Sequence, residues 1–240
     1  MVYVQFAVAV AEMIFILACP GNPARILYET EHLFPEYASL GFVRKVEMGV
    51  TSAMYHFLFI ENVVFALFTL VLWLISRQYA RNTAEKCICV TPFALSMCFS
   101  MFSDVFYSWF PKLEYFRYSL TEFGTLFSGQ PKTILPCLVY VVAVVSILYC
   151  VYMFSREKWI HAMLLFVFIA FGFGTRLMMG FSASIWESMD RTYLFMYTGF
   201  ILASLYMLTL AKSEKVKTGV FYVTIITGIS SYLPVLLSLL

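Results

Sequence analysis

Apolar and polar residues fall along this chain in long blocks. Seven nearly continuous apolar runs, at 2–19, 51–75, 87–103, 133–154, 159–175, 192–211 and 219–240, are separated by links that are either short and basic or long and mixed. Each run approaches the ~20 residues that an α-helix needs to cross a hydrocarbon core, and none shows the period-two alternation of a barrel strand. The pattern predicts an all-α, multi-spanning transmembrane helical bundle of about seven spans, forming a single multi-pass domain over 1–240.

The links refine that picture. Pro20, Gly21 and Pro23 stop the first run, because prolines remove helix donors and glycine admits sharp turns. The stretch 26–49 mixes Glu29, Glu31, His32, Glu36, Arg44, Lys45 and Glu47 with apolar residues at helical spacing, which predicts helices lying at the bilayer interface and divided at Pro35. A second interfacial segment, 104–132, interleaves aromatic rings with Lys112, Glu114, Arg117 and Glu122. The four-residue turn 155–158 makes the fourth and fifth spans a hairpin, and Gly172 and Gly174 near the end of the fifth favour close helix approach.

Composition agrees with the lipid reading: 62% of the residues are hydrophobic and 12% charged, against about 25% charged in soluble proteins. A formal charge of +2 gives no footing for nucleic acid. The first run has no basic residue before it and so reads as a retained span rather than a signal peptide. The same bare start is what the later part of a longer membrane protein would show. The six cysteines sit in or beside apolar runs and predict no disulfide framework; Cys87 and Cys89 lack the further ligands that zinc requires.

Orientation follows from the links. The short ones, on the side of the amino terminus, hold eight basic against three acidic residues, whereas the long ones hold eight against nine. Basic density in short loops marks the cytoplasmic side. The amino terminus is therefore expected inside, the carboxyl terminus outside, and the long loops on the outer face.

Candidate chemistry gathers in 174–192, where Arg176, Glu187, Asp190 and Arg191 interrupt two apolar runs. Two guanidiniums bracketing one loop either clamp a phosphate or snorkel to the surface beside Glu187 and Asp190. Glu12, Glu61 and His56 lie within spans, where charge is costly, and read either as a structural set or as steps of a proton or ion route. Glu29 and His32, three apart, form a single carboxylate–imidazole pair, too little for a metal centre, and no metal site is assigned.

Two segments carry a resemblance. Cys19-Pro20-Gly21-Asn22-Pro23-Ala24-Arg25 and Arg176-Leu177-Met178-Met179-Gly180-Phe181-Ser182-Ala183-Ser184-Ile185-Trp186-Glu187, ending near Asp190-Arg191-Thr192, resemble a bacterial family of uncharacterised multi-spanning envelope proteins that look like GT-C glycosyltransferases. This chain is similar to the carboxyl-terminal half of a member. The resemblance implies residence in the bacterial cytoplasmic membrane and transfer of sugar from a polyprenyl-phosphate donor to an envelope glycan at the outer face. It implies Arg25, Arg176 and Arg191 as phosphate ligands, with Asn22, Glu187 and Asp190 as polar support. GT-C enzymes carry an acidic pair in their first external loop; only Glu29 and Glu31 stand where it would be, which leaves catalysis by this chain open and names no cofactor. The rival expectations are a noncatalytic scaffold or polymer-export partner and, behind it, a small transporter.

Overall fold

A computed structural model describes residues 21–117, 131–187 and 192–237, all of whose regular structure is helical. Helix α1 (Gly21–His32) ends just before a 3-10 turn, Pro35–Ser39, so the division expected at Pro35 is present. Helix α2 (Phe42–Met54) runs into a π-helical turn, Tyr55–Phe59, and α3 (Val63–Ser76) follows. Next come α4 (Thr83–Ser96), a second π-helical turn, Met97–Met101, and the short α5 (Ser103–Trp109). The remaining helices are α6 (Ile134–Met153), α7 (Trp159–Met179), α8 (Leu194–Thr209) and α9 (Glu214–Leu237).

Among the described residues, three helical stretches are long and apolar enough to cross a membrane: Thr83–Met101, Pro131–Arg156 and Trp159–Met179. A fourth is reached if the bent pair Phe42–Phe59 and Val63–Ser76 counts as one span. Large apolar side chains such as Val141, Val145, Phe166, Phe171, Leu205 and Ile226 are exposed on the bundle's surface. In water such a surface would be unstable; against lipid tails it costs nothing.

The span expected at 51–75 is broken. Its halves meet at 79° around Ile60–Asn62. The break is stabilised from both sides: the Asn62 side chain accepts from Phe65 N–H at 2.9 Å, capping α3, while Asn62 N–H donates to Ser100 Oγ at 3.0 Å. Ser100 Oγ in turn donates to the Ile60 carbonyl at 2.5 Å. Irregular backbone survives at membrane depth only where protein supplies such partners. Ser100 lies in the second π-helical turn, so one irregular turn satisfies the break that follows the other. Asn62 before an apolar run is itself a helix-start signal.

Helix α8 packs between α7 and α3, α4 lies against α3 and α6, and α2 lies against α7. The α7–α8 crossing is close because it is built on glycine: a Cβ on Gly199 would lie 2.5 Å from the Phe168 carbonyl oxygen, and one on Gly172 2.8 Å from Met196 Cα. Gly174 makes no such approach; a Cβ there meets nothing within 4 Å. Helices α6 and α7 form the expected hairpin, yet leave between them an apolar cavity of about 410 Å³.

The three short basic links come together at one end. Arg156 holds Glu85 with two hydrogen bonds, at 2.6 and 2.8 Å, and also donates to the Tyr79 carbonyl. Tyr79 Oη donates to the Leu210 carbonyl at 2.6 Å, and Lys212 pairs with Glu157 at 3.1 Å. Burial, with the Glu157 carboxylate beside it, pushes the Tyr79 phenol up to about 12, so it stays a donor at physiological pH. The links that carry the basic bias thus share one face of the bundle.

Candidate functional site

The opposite end sets α1, which carries Arg25 of the first resembling segment, against the turn that belongs to the second. Helix α1 projects Glu29 inward; its Oε1 accepts from Arg25 Nε at 2.6 Å, an i,i+4 pair, and its Oε2 accepts from Ser182 Oγ at 3.4 Å. Tyr37 Oη donates to the Gly180 carbonyl at 3.4 Å, and Lys45 Nζ sits 4.2 Å above the Tyr37 ring. Burial and the nearby Glu29 carboxylate push the Tyr37 phenol up to about 12. Beneath these polar contacts Phe34, Tyr37, Met48, Ala183 and Ile185 form a small core of their own, which holds 34–48 against the turn after α7.

That turn begins later than the apolar pattern implies. Helix α7 continues to Met179, four residues past the expected end, and carries Arg176 within its last turn. A cation near a helix C-terminus meets the negative end of the macrodipole. Arg176 is completely buried. Its Nε donates to Ser52 Oγ at 2.9 Å, one Nη to Thr192 Oγ1 at 2.5 Å, and the other to the Ile185 carbonyl at 3.5 Å. Its guanidinium carbon lies 4.1 Å from the centre of the Tyr193 ring. Through these contacts a single side chain ties together α2, the turn after α7 and the start of α8.

The chain of polar groups continues inward. The His56 ring stacks on Tyr193 at 3.6 Å and 4°, too close for the guanidinium to share that face, so Tyr193 is sandwiched between the two. Tyr193 Oη donates to the Ser52 carbonyl at 2.9 Å. His56 Nε2 meets Tyr197 Oη at 2.5 Å, and Asn62 Nδ2 donates to that oxygen at 3.1 Å. From Ser52 through Arg176, Tyr193, His56 and Tyr197 to Asn62, the polar groups of the break and of the turn after α7 form one connected set. Such a set is stable only as a whole, since removing one member strands the next.

The expected site residues are therefore distributed unevenly. Arg25 and Arg176 lie at the same end, but Arg25 is exposed, with 70% of its side chain accessible, while Arg176 is enclosed. Glu187 is exposed on the turn after α7. Glu61 is exposed at the helix break, not enclosed in a continuous span, and His56 is buried in the connected set. Glu12, Asp190 and Arg191 lie outside the described residues, as does the side chain of Asn22. Glu29 and Glu31 do not converge: Glu29 is buried against Ser182, and Glu31 is exposed two residues further round α1. His32 turns to the Tyr28 carbonyl. Among the described residues, no three of the His, Cys, Asp and Glu side chains are grouped to hold a metal ion.

Ser52, Thr192, Tyr193, Tyr197 and Asn62 were not apparent as site residues in the sequence. Hydroxyls and an amide scattered through apolar runs carry no spacing signal; only their convergence on Arg176 and His56 distinguishes them. No protein family, curated protein or solved structure matches the chain.

Proposed function

We propose that this chain is an integral protein of the bacterial cytoplasmic membrane that binds a polyprenyl-phosphate-linked sugar at its outer face, in a GT-C-like glycosyl transfer to an envelope glycan. The observation that carries the reading is a juxtaposition. The apolar cavity is lined on α7 by Gly174 and Leu177, on either side of Arg176 in sequence, and three residues past Leu177 the chain enters the 180–187 turn, whose Ser182 holds Glu29 of α1. The remaining wall includes Ala143 and Ile147 of α6 and Phe166 and Ala170 of α7. Its volume is in the ~300–1,000 Å³ range of ligand sites, and both exposed Phe166 and exposed Leu148 border it, so a lipid tail has a lateral entrance.

In this reading an isoprenoid tail occupies the cavity and the phosphate meets Arg25 and Arg191, with Arg176 contributing charge from beneath. The bundle has seven spans, with its amino terminus inside and its carboxyl terminus outside. A photoreactive polyprenyl phosphate should label peptides of α6 and α7 in the purified chain, and unlabelled polyprenyl phosphate should compete better than neutral polyprenol. Gly174→Leu fills the cavity from a position with free space and should lower labelling about tenfold without loss of helical content. Equal labelling in the variant, or equal competition by the neutral alcohol, would refute the tail-and-phosphate assignment.

The orientation has its own test. On a cysteine-free background, Glu187→Cys should react with an impermeant maleimide in intact cells and Lys215→Cys only after lysis; both positions are exposed. The reverse order would place the proposed site on the cytoplasmic side.

A noncatalytic role, as a scaffold or polymer-export partner, is favoured by one observation: Glu29 is engaged by Arg25 and Ser182 and does not pair with Glu31. Sugar transfer by the purified chain decides between the two readings.

A further inference from the structure

Away from that site, three sulfur atoms meet inside the bundle. Cys89, on α4, faces Cys150 and Met153, which lie three residues apart on one side of α6. Cys89 Sγ is 3.8 Å from Met153 Sδ, and Cys150, one helical turn before Met153 on α6, brings its thiol near enough to interact with that of Cys89. All three side chains are completely buried, as is Ser76 of α3, whose hydroxyl donates to the Trp73 carbonyl at 3.5 Å.

We propose that Cys89, Cys150 and Met153 form a binding site for one soft monovalent metal ion, copper(I) being the physiological candidate. Two arguments select that class. Thiol and thioether ligands are soft and prefer copper(I) to hard cations, and the cluster supplies three ligands where tetrahedral zinc wants four. The geometry agrees: metal–sulfur bonds of ~2.3 Å directed to the corners of a triangle place the sulfurs ~4 Å apart. The Cys89–Met153 separation of 3.8 Å needs little adjustment. On entry of the ion, each thiol that becomes a thiolate releases its proton to solvent; two thiolates and one copper(I) leave a net charge of −1. The Arg156–Glu85 ion pair interacts with Cys89 through both of its charges and adds no net charge, so the site is neutral when one of the two cysteines stays a thiol.

The site is independent of the lipid reading, because it lies on α4 and α6 near the end where the short links meet. The test uses the full chain in detergent micelles with Cys19, Cys87, Cys98 and Cys137 replaced by serine or alanine. Copper(I), kept reduced and anaerobic, is titrated against a chromogenic copper(I) chelator. One ion should bind per chain, with an X-ray absorption shell of three sulfurs and no lighter atom. Cys150→Ser should lower affinity by at least ~100-fold, beyond the ~10–100-fold expected for an outer-shell partner. Met153→Leu preserves volume and fold, and should lower affinity about tenfold while reducing the shell to two sulfurs. Absence of binding, nitrogen or oxygen in the shell, zinc binding of equal strength, or an affinity unmoved by both substitutions would overturn the assignment.

Discussion

Arg176→Ala should cost the bundle about 3–5 kcal/mol and open the end at which α1 docks. The side chain is completely buried, and it is the common donor to Ser52, Thr192 and the Ile185 carbonyl. Alanine leaves those acceptors without their donor, removes the cation from the Tyr193 face and creates a void the width of a guanidinium. A denaturant titration in micelles should show the loss, and limited proteolysis should find new cleavage within 180–187. Arg176→Lys should recover part of it, because one ammonium cannot reach three acceptors on three elements. An Arg176→Ala protein with unchanged stability and lowered lipid binding would instead identify Arg176 as a direct phosphate ligand. The two outcomes separate a guanidinium that holds the fold from one that holds a substrate.

Gly180→Ala should be nearly as damaging, at about 3 kcal/mol, although it adds one methyl group. The new Cβ would collide with the Lys45 carbonyl oxygen, lie 3.0 Å from the Lys45 carbonyl carbon and 3.1 Å from Gly49 N. These are backbone atoms, so no rotamer change relieves the clash. Gly49 faces the same seam from the other side, with its own absent Cβ 2.9 Å from Leu177 Cα. To accept the methyl, α2 must withdraw from the turn after α7, which strains the Tyr37–Gly180 bond and the Arg176–Ser52 bond together. Gly174→Ala is the matched control, since its Cβ meets open space, and it should be neutral or stabilising by about 0.5–1 kcal/mol. If both alanine variants unfold alike, the close approach of α2 to this turn is wrong.

Gly172 and Gly174 illustrate where reading the chain succeeds and stops. Both were expected to permit close packing, and Gly172 does, against Met196. Gly174 lines a cavity instead. Two residues of rise and rotation on one helix decide which glycine faces a neighbour, and that depends on where α8 lies. The apolar runs at 133–154 and 159–175 were legible almost to the residue, because α6 and α7 occupy Ile134–Met153 and Trp159–Met179. The end of α7 was not, since an arginine looks like the start of water until Ser52, Thr192 and Tyr193 are seen to enclose it. The break at Asn62 was misread for the opposite reason: the apolar run continues through it, and Ser100, which satisfies it, is 38 residues away.

The first loop and the turn after α7 were expected on a shared face, and Glu29 with Ser182 gives them a physical contact. The sulfur cluster had no trace in cysteine spacing, because its members come from helices separated by the whole of 90–149. By itself the sequence determined the class of structure, all-helical and lipid-facing, because the free energy of placing a segment in hydrocarbon is nearly a sum over that segment's own residues. Only the tertiary structure decided which charges are enclosed, where a helix breaks and which sulfurs meet. Those outcomes depend on pairs of groups distant in the chain, and a buried polar atom is stable or ruinous according to the partner that arrives beside it.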